Sequence, residues 1–162
     1  MEGPSSDEES IGAIRDAFGK LVTDGLLPYN VVENGGILLE LGVVKDREVK
    51  PDGNANETEC NEAVAEALRG VLEVAVEHDD IKGKHKRLLR AVLPLDPEHL
   101  GKSIKERRIV AGKVLKPGKK AVTAGTIRNH YEPKALEKFA AVLWRMELEF
   151  RAKAPSSQRR TS

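Results

Sequence analysis

Asn56-Glu-Thr-Glu-Cys-Asn-Glu-Ala-Val-Ala-Glu-Ala-Leu-Arg-Gly-Val-Leu-Glu-Val-Ala-Val76 is the stretch that decides the fold. Its apolar residues Val64, Leu68, Val71, Leu72 and Ala75 recur every three or four positions, which is the period of a helix and not of a strand. Asn56 is placed to cap the first turn, and Glu59 stands where a capping box needs its second member. The polar loop Lys50–Asn56 precedes the helix, and His78-Asp79-Asp80 closes it.

The same period extends in both directions. Upstream, Ile11, Ile14, Phe18, Leu21 and Val22 mark a helix that ends near Gly25, with Pro28 breaking the chain after it. Residues 30–44 admit two readings. Asn30 with Glu33 and the run Ile37, Leu38, Leu39, Leu41 suit a helix, whereas Asn34-Gly35-Gly36 would turn a hairpin. The helix is the preferred expectation. Downstream, Ile81, His85, Leu88, Leu89 and Val92 give a short basic helix, ended by Pro94 and Pro97. Ser103 and Glu106 form a second capping-box pair, opening a helix through Ile104, Ala111, Val114 and Leu115. Lys116-Pro-Gly-Lys-Lys120 reads as a turn. A last helical region carries Leu136, Phe139, Ala140, Leu143, Met146 and Phe150, with a break or a fresh start at Pro133. No run alternates as a strand would. The expectation is an all-α protein: one compact helical domain of six or seven helices over residues 9–153, with a disordered tip at 1–8 and a disordered tail at 154–162.

At 162 residues the chain is long enough to bury a core without metals or disulfides. Aromatics make up only 4%, so the core must be aliphatic, and base stacking on single strands is disfavoured as a binding mode. The one cysteine, Cys60, stands among Glu57, Glu59 and Glu62. Those carboxylates oppose a reactive thiolate, and a packed helix residue is the expected role. The acidic N-terminus lacks the apolar stretch of a signal peptide, and no apolar run suits a membrane span. A cytoplasmic protein without membrane partners is expected.

Charge is distributed unevenly. Residues 1–80 hold 6 Lys/Arg against 19 Asp/Glu, and residues 81–162 hold 21 against 7, so halves of −13 and +14 combine to +1. A basic half points to a phosphate-rich partner or to the acidic half of the same chain. The best candidate site lies at 103–132. There a capped helix bearing Arg107 and Arg108 leads through Ala111-Gly112 to a turn and then to Thr126-Ile-Arg-Asn-His-Tyr-Glu132. Arg128 and Asn129 have the donors that read guanine and adenine edges, and Lys113, Lys116, Lys119 and Lys120 would meet phosphates. The competing reading is a helical hairpin whose basic residues face solvent or pack on acidic helices. A second basic cluster, Ile81–Arg87, either grips phosphates or is a solvated helix start or a partner for the acidic Glu77-His-Asp-Asp80 before it; the non-binding role is preferred.

The 103–132 stretch resembles the helix-turn-helix class. It is also similar to a C-terminal helical region of uncharacterised actinobacterial proteins, through Arg107, Arg108, Ala111, Gly112, Thr126, Ile127, Arg128, Glu132, Leu136 and Ala140. The helix-turn-helix resemblance implies a small DNA-binding or transcription-regulatory protein with double-stranded DNA as partner. One departure is visible: a compact motif joins its helices in about three to four residues, and the interval from Leu115 to Thr126 is longer. The alternative is a protein-interaction or adaptor module that docks a protein, or a second copy of itself, through Leu136, Leu143, Trp144, Met146 and Phe150. That same apolar stripe would equally close the domain's own core. No histidine or cysteine spacing suggests a metal, no phosphate-loop or nucleophile motif is complete, and neither a cofactor nor enzymatic activity is expected.

Overall fold

The computed structural model describes residues 6–49, 53–116 and 118–153. The chain folds into helices α1 (Ser6–Asp24), α2 (Pro28–Asn34), α3 (Gly42–Arg47), α4 (Glu57–Val76), α5 (Gly83–Val92) and α6 (Ile104–Val114), and a long final rod. That rod starts as α7 (Ala124–Thr126), widens into a π-helical turn at Ile127–Tyr131 and continues as α8 (Glu132–Lys153). Counting the final rod once, there are seven helical rods among the described residues, and no strand. Residues 6–8, expected in a disordered tip, belong to the first helix. The remaining tip and the 154–162 tail lie outside the described residues.

Local signals explain the boundaries. At both Asn56 and Ser103 the capping box closes in both directions: each cap side chain accepts from the backbone N–H three residues on, and the Glu carboxylate there accepts from the cap's own N–H. Gly25 ends α1 with φ +93°, a conformation that costs other residues energy, and its N–H reaches the Leu21 carbonyl. The 30–44 region is helical, but in three short pieces: α2, a 3-10 turn at Gly36–Glu40, and α3. The Asn30–Glu33 capping box does not form. Pro28 starts that helix two residues earlier, and the Asn30 amide donates to the Asp24 carbonyl instead.

The final rod neither breaks nor restarts at Pro133. Proline has no N–H for the Asn129 carbonyl, and its ring crowds that carbonyl. The wide π turn lies immediately upstream, where Glu132 donates five residues back to the Ile127 carbonyl.

The core sits around α8, which packs against α1, α3, α4 and α5. Phe18 and Phe139 stack with ring centroids 4.8 Å apart, surrounded by Ile14, Leu21, Leu68, Leu72, Leu88, Leu89 and Leu143. Apart from Trp144, and as the composition requires, the buried filling is otherwise aliphatic. Glu147, almost fully buried, turns its two carboxylate oxygens to the Gly42 and Val43 N–H groups at 3.1 and 3.0 Å, and so holds the start of α3 against α8. Cys60 departs from expectation: it is exposed on α4. No helix of the described residues is long and apolar enough to cross a membrane.

Candidate nucleic-acid interface

The basic residues of the second half separate into two groups. The first is bound internally. Arg107 is 2% exposed. Its guanidinium donates to the Val92 carbonyl, closing the end of α5, and to the Lys102 carbonyl at 3.1 Å. Burial, with the neighbouring Arg108 charge, lowers its pKa. Arg108 forms a two-pronged pair with Glu132, each N···O distance 2.9 Å, and Glu132 is itself buried. Both arginines are engaged within the fold, so their place among the candidate nucleic-acid-binding residues of the 103–132 stretch is corrected: both hold helices together. Arg87 likewise caps α6, donating to the Val114 and Leu115 carbonyls at 2.8 and 3.0 Å. Arg90 is clamped by Glu73 at 2.6 Å, Asp96 at 2.8 Å and Glu77 at 3.4 Å. Burial disfavours its charge, but those carboxylates outweigh it and raise its pKa. Lys86 donates to the Glu77 carbonyl at 3.0 Å. Arg145 pairs with Asp80, holding that carboxyl below its usual range.

The second group faces outward. Lys113, Lys116, Lys119, Lys120, Arg128 and Asn129 are all exposed. They are not arranged as a compact helix-turn-helix. Between α6 and Thr123 none of the described residues is helical, and Val122 crosses α6 at Gly112, donating its N–H to the Gly112 carbonyl at 3.0 Å. A Cβ on Gly112 would collide with the Val122 carbonyl. The small Ala111-Gly112 centre therefore accommodates an extended strap rather than a second helix. Arg128 and Asn129 stand on the π turn beyond it.

The structure joins two stretches that the linear reading kept apart. Lys82, Lys84 and His85, from the first turn of α5, converge on Thr126, His130, Tyr131 and Lys134 from the final rod. Together they line an open recess of about 370 Å³ without a carboxylate. The Lys84 and Lys116 ammonium groups each lie 5.9 Å from the centroid of the Tyr131 ring, so Lys116 adjoins the recess. Burial, then the charges of Lys84, Lys82 and Lys134, hold the His85 pKa below its ordinary value. A partial signal was present in the Ile81–Arg87 cluster. That cluster divides in three dimensions: Lys86 and Arg87 are tied to backbone carbonyls of the chain, and Lys82 and Lys84 line the recess. His130, Tyr131 and Lys134 carried no local motif. The widened turn lets the adjacent His130 and Tyr131 both reach the recess.

The expected docking stripe is inside the protein. Leu136, Leu143 and Trp144 are buried, Met146 packs on the core, and Phe150 is half-buried against Gly42. The indole N–H of Trp144 donates to Asp7 at 3.0 Å, and Arg151 lies over its ring. As a partner-binding face these five residues are corrected to core and near-core positions. Asp96, Glu98 and His99 bring metal-ligating atoms within 4.8 Å of one another. Arg90 already holds Asp96, however, and the Lys102 ammonium lies 3.3 Å from His99 Nδ1, so the chain's own cations neutralise the cluster.

No family model, curated protein or solved structure matches this chain.

Proposed function

We propose that this is a small DNA-associated protein that grips duplex DNA by its phosphates through one lysine-rich edge, in the service of transcription or DNA organisation. The observation that carries this reading is the division of the cations. Arg87, Arg90, Arg107 and Arg108 are bound within the fold, whereas Lys82 and Lys84 line a carboxylate-free recess, Lys116 lies over its Tyr131, and Lys113, Lys119, Lys120 and Arg128 are exposed. A lysine is a compact charge on a flexible stem, suited to phosphates along a backbone rather than to forked recognition of a base. Arg128 and Asn129 remain the two exposed groups that could reach base edges. Contact through an exposed edge needs no short turn and no buried recognition helix, so the strap at Gly112 is compatible with it.

The test is duplex binding measured across salt concentrations. Affinity is expected to fall linearly on logarithmic axes, by about 0.9 per phosphate neutralised. Failure to bind mixed-sequence duplex even at low salt would sink the reading.

A further inference from the structure

We propose that the recess between the first turn of α5 and the π turn is a receptor for a phosphomonoester group, the terminal phosphate of a polynucleotide or nucleotide. This rests on the reading of the surrounding edge as a phosphate-binding surface, and it names a ligand group that edge alone would not select.

The argument starts from convergence. Three lysines, Lys82, Lys84 and Lys134, and two histidines, His85 and His130, line one concavity from two separate elements, with no carboxylate in its lining. Like charges gathered without a counter-ion repel one another, and a dianion relieves that repulsion. A phosphomonoester presents a charge of about −1.5 to −2 and three strong acceptor oxygens, which suits several donors at one point. An internal phosphodiester carries one charge and must run through an open channel. The double charge of a terminal group answers the clustered cations better, and a recess of about 370 Å³ lies near the lower end of the size for small-ligand sites, roughly 300–1,000 Å³.

The surroundings agree. α4 and α6 begin with closed capping boxes, but no side chain caps the first turn of α5, and no acidic residue stands in it. Unpaired N–H groups at such a turn favour an anion. Thr126 accepts a hydrogen bond from the Thr123 hydroxyl at 2.9 Å, which leaves its own proton to donate. Burial and the lysine neighbours disfavour the charged form of His85, and its neutral ring still offers one N–H. An anion seated beside it would oppose those lysines and raise its pKa.

The experiment uses the full chain and three probes: a duplex with 5′-phosphate ends, the same duplex with 5′-hydroxyl ends, and a free nucleoside monophosphate. Imidazole resonances of His85 and His130 are followed by NMR. The proposal expects the phosphorylated duplex to bind about tenfold tighter than the hydroxyl duplex, or the free monophosphate to bind by itself. In either case the His85 titration should move to higher pH. The first outcome assigns a polynucleotide end, and the second a soluble nucleotide. Lys84→Gln with Lys134→Gln should remove the preference and the His85 shift with helicity retained, while binding of the hydroxyl duplex, to whose edge both lysines belong, weakens but persists. Equal affinity for both duplexes, with the imidazole resonances unmoved by monophosphate, overturns the proposal yet leaves the duplex-binding reading intact. Monophosphate binding without any duplex binding overturns that reading and keeps the recess.

Discussion

Arg107 and Lys119 carry the same formal charge on neighbouring parts of the chain, and they have opposite fates. Arg107 is sealed under α5, bonded to two backbone carbonyls; Lys119 stands in solvent. The contrast extends to the regions around them. On the inner side, arginines close helix ends and fork onto carboxylates, because a planar guanidinium with five donors can satisfy several acceptors at once. On the outer edge, lysines predominate, with Arg128 as the exception. The +14 of the second half is therefore two populations. One answers the acidic half and the helix ends of the same molecule. The other is left over, and this remainder is what a phosphate partner would meet.

This division can be broken experimentally, and the largest effect is expected inside. Glu132→Ala would leave Arg108 without its carboxylate in a mostly buried site, and should cost about 3–5 kcal/mol, read as a lowered denaturant midpoint. A change within measurement error would show that the Arg108 pair is not structural. Next in size, Gly112→Ala places a methyl group against the Val122 carbonyl and should destabilise by about 1–3 kcal/mol. The strap, rather than α6, should loosen first, as increased hydrogen exchange at the Val122 amide.

On the outer edge the pattern inverts. Lys119→Glu with Lys120→Glu should shift stability by no more than about 0.5 kcal/mol. It should also weaken duplex binding and flatten the salt slope by about 0.9 for each phosphate contact removed. The smallest effect is expected from His85. Its folded pKa lies below the ordinary 6.5, so on acidification the unfolded chain takes up the proton before the folded one. Its contribution is present above about pH 6.5 and declines as the pH falls below that value. His85→Gln should remove this component of the acid-side slope in thermal melts without ligand.

Much of the fold was legible because its signals are local. The capping residues Asn56 and Ser103, the helix end at Gly25 and the periodicity of Leu68, Leu72, Leu136 and Leu143 each act within a few residues of themselves. The candidate site was less legible, because a charge has no period. Nothing adjacent to Arg107 indicates that its acceptors are Lys102 and Val92, the latter at the end of another helix. Nor does anything beside Arg108 point to Glu132, 24 positions away. The recess combines residues around 82–85 with residues around 126–134, a juxtaposition created by packing α5 against the final rod. The stripe from Leu136 to Phe150 was read correctly as apolar, but periodicity alone does not say whether α1 or a partner covers it.

Lysine-reactivity footprinting tests the division most directly. The full chain is acetylated with and without excess mixed-sequence duplex at low salt, and modification is quantified at each lysine. Protection is predicted at Lys82, Lys84, Lys113, Lys116, Lys119, Lys120 and Lys134, with Lys20 and Lys45 on the acidic half unchanged. Protection that is absent, or that spreads evenly to Lys20 and Lys45, would contradict a single phosphate-binding edge.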